Sequence, residues 1–235
     1  MLKGSWKNLV LGISIIFLTI LLSSPSFAEV NLFIDKNTVR VYDPELKNWS
    51  ILNDFKPTGW RTGNYLALVW NKNHAYIYDV RIHQWHPLLD CNPVNGVVRN
   101  TLAIVWNPNR AYAYDVNLRQ WVPKDTIDTI TAANATDSFA TIVTVASVYL
   151  YDAFLKQWVG LDDIDPTGWA MNENFLLVWN SENAYVYDLS LHQWAVAEGI
   201  KPQSGMVEPQ QVVVYTVDKI FFYDRNTHRW RATYR

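Results

Sequence analysis

Apolar and polar positions along this chain alternate in short bursts, and none of the bursts has helical spacing. Between residues 59 and 87 the order is Gly59-Trp60-Arg61-Thr62, then Tyr65-Leu66-Ala67-Leu68-Val69-Trp70, then Ala75-Tyr76-Ile77-Tyr78, then Gln84-Trp85-His86-Pro87. Runs rich in aromatic and branched residues, punctuated by Asn, Asp, Gly and Pro, predict consecutive antiparallel strands. At about 3.3 Å per residue each run spans roughly 13 to 20 Å, so one such stretch makes a small sheet of three firm strands and a weaker one.

The same stretch returns along the chain. Its marker is Tyr-Asp, five residues, then Trp, in six copies: Tyr42-Asp43 to Trp49, Tyr78-Asp79 to Trp85, Tyr114-Asp115 to Trp121, Tyr151-Asp152 to Trp158, Tyr187-Asp188 to Trp194 and Tyr223-Asp224 to Trp230. Successive tryptophans are 36, 36, 37, 36 and 36 residues apart. A fixed period of this size signals one supersecondary unit copied and packed on itself. Antiparallel units repeated radially predict an all-β fold, a six-bladed β-propeller built from 36-residue repeats. An open β-solenoid is the alternative, disfavoured because there are no obvious capping repeats and the hairpin turns imply antiparallel pairing. The first unit begins at Val30-Asn31-Leu32-Phe33-Ile34 and lacks the weak strand that precedes the others. Either one blade is three-stranded or the weak segment is a loop throughout.

Turn chemistry follows from the residues between the strands. Asn71, Asn107 and Asn180 open the turn between the second and third strands, where an Asn side chain can bond its own backbone. The next turn carries Asp at its first position in all six copies and a base four residues later: Lys47, His83, Arg119, Lys156, His192 and His228. An Asp there can accept backbone N–H bonds from a single helical turn, with the cation over the same turn as a local staple. The recurring Tyr and Trp are assigned to packing one sheet on the next.

The Tyr-Asp-Pro-Glu-Leu-Lys-Asn-Trp segment at 42–49, with its five relatives, resembles the turn between the third and fourth strands of kelch repeats. That resemblance implies a propeller that serves as a protein–protein interaction scaffold. The chain departs from kelch in carrying Trp70-Asn71 and its counterparts where a diglycine is usual, and in its shorter repeat. In length alone the repeat is similar to that of the tectonin and tachylectin lectin propellers.

Composition and the chain start narrow the picture. Lys3 and Lys7 precede an apolar run from Leu9 to Leu22 and the small-x-small triplet Ser26-Phe27-Ala28, the layout of a secretory signal peptide over 1–28. The expectation is cleavage after Ala28, one domain over 29–235, a secreted or periplasmic location, no membrane span in the mature chain and a monomer. A formal charge of −2 with scattered basic residues argues against nucleic acid as a partner. The lone Cys91 cannot form an internal disulfide and reads as a small buried apolar residue.

Function should lie where the copies differ. Pro57-Thr58-Gly59-Trp60 and Pro166-Thr167-Gly168-Trp169 are identical tetrapeptides three units apart, so a six-bladed ring would set them across its axis. Trp60 with Asp54 and Arg61, and Trp169 with Asp163 and Asp165, form candidate ligand-binding groups, since a flat indole beside carboxylates suits sugar rings. The alternative is that both tryptophans plug gaps between blades. Asp162, Asp163 and Asp165 are too few for a calcium loop. No nucleophile with an adjacent base, acid pair or metal set has motif spacing. The expectation is an exported non-catalytic binding module without catalytic residue, metal or cofactor, whose partner is a protein or a glycan. A lectin is the alternative, and an enzyme using the central channel is third.

Overall fold

Strands form where the bursts fall. The structure, a computed structural model, describes residues 30–234. The expected signal segment over 1–28 lies outside them. Blade 1 holds β1 (Asn31–Asp35), β2 (Thr38–Asp43) and β3 (Asn48–Leu52), and blade 2 holds β4 (Gly59–Thr62), β5 (Leu66–Trp70), β6 (Ala75–Asp79) and β7 (Gln84–Leu88). Blade 3 follows with β8 (Asn95–Val98), β9 (Leu102–Asn107), β10 (Arg110–Asp115) and β11 (Gln120–Asp125), and blade 4 with β12 (Ile130–Ala135), β13 (Phe139–Thr144), β14 (Val148–Asp152) and β15 (Gln157–Leu161). Blade 5 comprises β16 (Gly168–Met171), β17 (Phe175–Trp179), β18 (Ala184–Asp188) and β19 (Gln193–Ala197), and blade 6 β20 (Ser204–Val207), β21 (Gln211–Tyr215), β22 (Lys219–Asp224) and β23 (Arg229–Tyr234).

Each blade is one antiparallel sheet with its strands in sequence order, as in a six-bladed propeller. Blade 1 has three strands and the other five have four, so the weak opening segment is a true strand wherever it occurs. No helix long and apolar enough to cross a membrane occurs among the described residues.

The opening strands form the inner wall: β4 packs beside β8, β8 beside β12, and β16 beside β20. The second strand of blades 2 to 5 is sandwiched between neighbouring sheets, which is why Leu66–Trp70 and Phe139–Thr144 are buried along their whole length. Apolar clusters span successive blades. Leu68 and Ile77 meet Val105 and Tyr114 between blades 2 and 3. Val143 and Leu150 meet Leu176 and Tyr187 between blades 4 and 5. Phe175 and Val186 meet Val212 and Tyr223 between blades 5 and 6.

Turn asparagines act as read. Asn71 Oδ1 accepts the backbone N–H groups of Asn73 and His74, and Asn180 Oδ1 those of Glu182 and Asn183. The divergent fourth unit keeps the turn by other means, with Thr144 Oγ1 accepting the Ser147 N–H at 2.8 Å. Links between blades hang from these turns, for Phe55 N–H donates to Asn37 O and Ile164 N–H to Ala146 O. Phe55, Cys91 and Ile164 drop into the gap beneath. Cys91 is therefore a buried plug, and burial pushes its thiol up to about 11.

Candidate functional site

The repeated Asp is the joint of the molecule. Its two carboxylate oxygens divide the work. In blade 4, Asp152 Oδ1 accepts the backbone N–H groups of Phe154 and Leu155, capping the short turn that follows the strand. Asp152 Oδ2 faces the next blade, accepting the Tyr187 hydroxyl at 2.8 Å and the His192 ring N–H at 2.7 Å. The same bond recurs at Tyr78 to Asp43, Tyr114 to Asp79, Tyr151 to Asp115 and Tyr223 to Asp188, at 2.7 to 3.2 Å. Asp43, Asp79, Asp115, Asp152 and Asp188 are all buried. A buried carboxylate is tolerated because its lone pairs are filled by directed donors.

This overturns one half of the local-staple reading. The Asp does hold its own turn, but the base four residues later does not bond back to it. His83 reaches Asp43, His192 reaches Asp152 and His228 reaches Asp188, each 40 residues upstream in the preceding blade. The reason lies in the backbone: Lys47, His83, Arg119, Lys156, His192 and His228 all have φ between 50° and 58°, the left-handed end of a helical turn. That dihedral turns the side chain away from its own Asp. Because an ionised carboxylate only accepts, the Nδ1 of each of these histidines carries the proton. Tyr and Trp of one repeat meet across strands, as in Tyr151 and Trp158 with ring centres 5.6 Å apart. Trp158 Nε1–H then donates to Val122 O of the blade before.

Burial alone would raise the Asp43 and Asp188 carboxyls. Bonds from Tyr78 and His83 to the first, and from Ser190, His228 and Tyr223 to the second, outweigh it and hold both below the ordinary range. Burial, with the bond to Asp152, pushes the Tyr187 hydroxyl far up. A depressed carboxyl contributes stability above its unfolded value, and that contribution is lost as pH falls through the folded value. The urea midpoint is therefore expected to hold from neutrality to about pH 5 and to fall below about pH 4, where an unperturbed Asp begins to protonate. Urea titrations across that range check it.

The residues singled out as ligand-binding do not form one site. Trp60 and Trp169 lie within the inner strands β4 and β16, not on loops. Their tetrapeptides are explained by packing: Thr58 and Thr167 bond the carbonyls of Trp70 and Trp179, and a methyl on Gly59 or Gly168 would overlap those indole rings. Trp169 packs into the cluster between blades 4 and 5. Asp163 and Asp165 are exposed, with φ of 54° and 47°, and their backbone N–H groups anchor the link to Ser147 and Ala146. Asp162 accepts the Tyr149 hydroxyl at 2.5 Å. Asp54 is exposed, with φ of 55°. The Arg61 guanidinium donates to the Trp60 carbonyl at 2.8 Å and lies over the Trp70 ring. Among the described residues no three His, Cys, Asp or Glu side chains are placed to share a metal ion.

Trp60 differs from its twin, being 50% exposed. It walls a hollow with Leu32, Phe33 and Ile34 of β1. The cause is the short first blade: every other blade has an inner strand paired on its second strand, whereas among the described residues β1 pairs with β2 alone. Trp60 stands beside that open edge. The signal was present in the sequence, in the absence of a weak strand before Val30, yet its consequence for Trp60 depends on blade order in space.

Along the inner hairpins a second polar chain links blades one repeat apart. Asn100 donates to both oxygens of Asp137, and the Asp137 backbone N–H donates to Glu173. These polar groups are engaged with one another.

No protein-family model matches this chain, and no curated protein matches it. Among solved structures it is similar to Hsv2 of Kluyveromyces lactis, at 10% identity and a TM-score of 0.41 over 74% of this chain and 62% of that one. It is also similar to a chain of the mitotic checkpoint complex (9% identity, TM-score 0.41, 87% and 73% of the two chains) and to BamB from Moraxella catarrhalis (12%, 0.39, 87% and 75%). This chain spans less than two thirds of the Hsv2 chain it matches.

Proposed function

We propose that this protein is an exported, non-catalytic binding module, a kelch-like propeller that takes up an extended segment of a protein partner. The observation that carries the reading is the one-sided pairing of β1 beside the half-exposed Trp60. A strand edge offers a row of backbone donors and acceptors, and a neighbouring apolar hollow selects side chains, which is the equipment for recognition by strand addition. In the other five blades a four- to six-residue inner strand occupies the equivalent edge, so the edge that the described residues of blade 1 leave unpaired has the dimensions of a short extended peptide. The Tyr-Asp turn shared with kelch repeats supports the scaffold reading. Five of the six repeat carboxylates, those of Asp43, Asp79, Asp115, Asp152 and Asp188, are engaged in holding successive blades together, which supports a scaffold.

A lectin is the second reading, favoured by the exposure of the Trp60 indole next to Arg61. One pair of screens separates the two. The chain is expected to select extended, apolar-centred sequences from a displayed peptide library, and Trp60→Ala to weaken the selected peptides by about tenfold or more, as loss of a buried aromatic anchor does. A silent peptide screen with glycan-array binding that Trp60→Ala removes would instead make this a lectin.

A further inference from the structure

The joint between blades is complete five times, and among the described residues blades 1 and 6 hold its unmatched halves. Blade 1 carries the donor side: Tyr42 in β2, with Lys47 at the left-handed position that His83, His192 and His228 fill in blades 2, 5 and 6. Blade 6 carries the acceptor side. Asp224 Oδ1 accepts the N–H groups of Asn226 and Thr227, as Asp43 and Asp152 do in their turns, but among the described residues its Oδ2 meets Arg231 at 3.6 Å and no tyrosine. Among the described residues no hydrogen bond, ion pair, ring contact or apolar cluster joins β1–β3 to β20–β23.

The surfaces around these halves match as well. On blade 1, Phe33, Arg40 and Ile51 stand in register across the three strands, and Ile51 is 49% exposed. In blade 2, Val69 in place of Phe33 is fully buried against blade 1, Tyr76 in place of Arg40 is half-buried, and Pro87 in place of Ile51 is exposed. On blade 6, Phe222 occupies the position of Ile77, which is buried under blade 3, yet Phe222 stays partly open.

We infer that these two faces belong together across molecules: blade 6 of one copy receives blade 1 of a second copy of this chain, with Tyr42 and Lys47 engaging Asp224. The occupant is a second copy because the missing surface is encoded in the chain itself and continues an interface that the molecule already builds five times. Charge agrees, a cation and a hydroxyl donor meeting a carboxylate. The contact is head to tail, so each added copy presents the same free ends again. It replaces the expected monomer with a concentration-dependent assembly. Of these face residues Phe33 also lines the Trp60 hollow, whereas Ile51 and Phe222 do not, so substitutions at those two positions leave the lining of the hollow intact.

Sedimentation velocity on the full chain over about two decades of concentration tests it, because mass action makes such an assembly grow with concentration. Two blocked variants, Ile51→Asp at one end and Phe222→Asp at the other, are run alone and mixed, with circular dichroism to verify their fold. The wild type is expected to associate, and each variant to sediment as a monomer with its association weakened by about tenfold or more. The mixture is expected to form a one-to-one dimer, since one intact pair of faces remains. Asp224→Asn, which keeps the turn-capping oxygen, weakens association without touching the apolar faces, and stands in if Phe222→Asp fails to fold. A wild type that stays monomeric throughout, or blocked variants that associate as well as it does, overturns the inference, whereas binding of selected peptides is unaffected by either result.

Discussion

Asp152→Ala is expected to lower the unfolding free energy by about 3–5 kcal/mol, the combined size of a lost turn cap and two lost hydrogen bonds to a buried carboxylate. Three losses coincide. The turn after β14 loses the cap on Phe154 and Leu155, and the buried Tyr187 hydroxyl and the His192 ring are both left without their acceptor. The side chain is fully enclosed, so water cannot substitute. Urea titration followed by tryptophan fluorescence reads the change as a lower midpoint with an unchanged slope. Asp152→Asn should recover part of the loss, because its carbonyl oxygen can still cap the turn.

Gly168→Ala is the second large effect, about 1–3 kcal/mol, as expected for a methyl forced into a filled core. The added carbon would overlap the six-membered ring of Trp179, and that indole is held in the cluster between blades 5 and 6. It cannot give way as a flexible chain end could. Gly199→Ala provides the contrast: its φ of 64° is unfavourable for alanine, but nothing stands within 4 Å. It should cost less, about 1 kcal/mol. If Gly168→Ala proves neutral by the same titration, the tetrapeptide is conserved between the two blades for a reason other than packing.

These effects bear on what the sequence made legible. The Tyr-Asp to Trp period marked every blade, and the bursts marked the strands, because a sheet sandwiched between neighbours must be apolar along its middle strands. That the first unit lacks the weak segment was visible at Val30, but whether this made a three-stranded blade or marked a loop in every unit was settled only by the pairing of the other five opening strands. The partner of each histidine was not, since it depends on the sign of one dihedral, and a side chain at φ near +50° points to the preceding blade rather than to its own turn. Trp60 and Trp169 have identical neighbours in sequence and opposite fates. Blade 4 covers one, and the three-stranded blade 1 leaves the other open. Gly59 and Gly168 look like loop glycines until the indole across the ladder is in place. Local sequence fixes local geometry, while exposure depends on which blade stands next door.

Five tyrosine–aspartate bonds hold this propeller together, and among the described residues a sixth, from Tyr42 to Asp224, is not made within one molecule. Replacing each repeat tyrosine by phenylalanine, one at a time, and titrating each variant with urea in dilute solution tests it most directly. Tyr78→Phe, Tyr114→Phe, Tyr151→Phe, Tyr187→Phe and Tyr223→Phe should each cost about 1.5–3 kcal/mol, the range for a hydrogen bond to a charged group, and Tyr42→Phe should cost close to nothing. An equal loss at Tyr42 would mean that Asp224 closes the ring within the chain, and no loss at the other five would remove the joint itself.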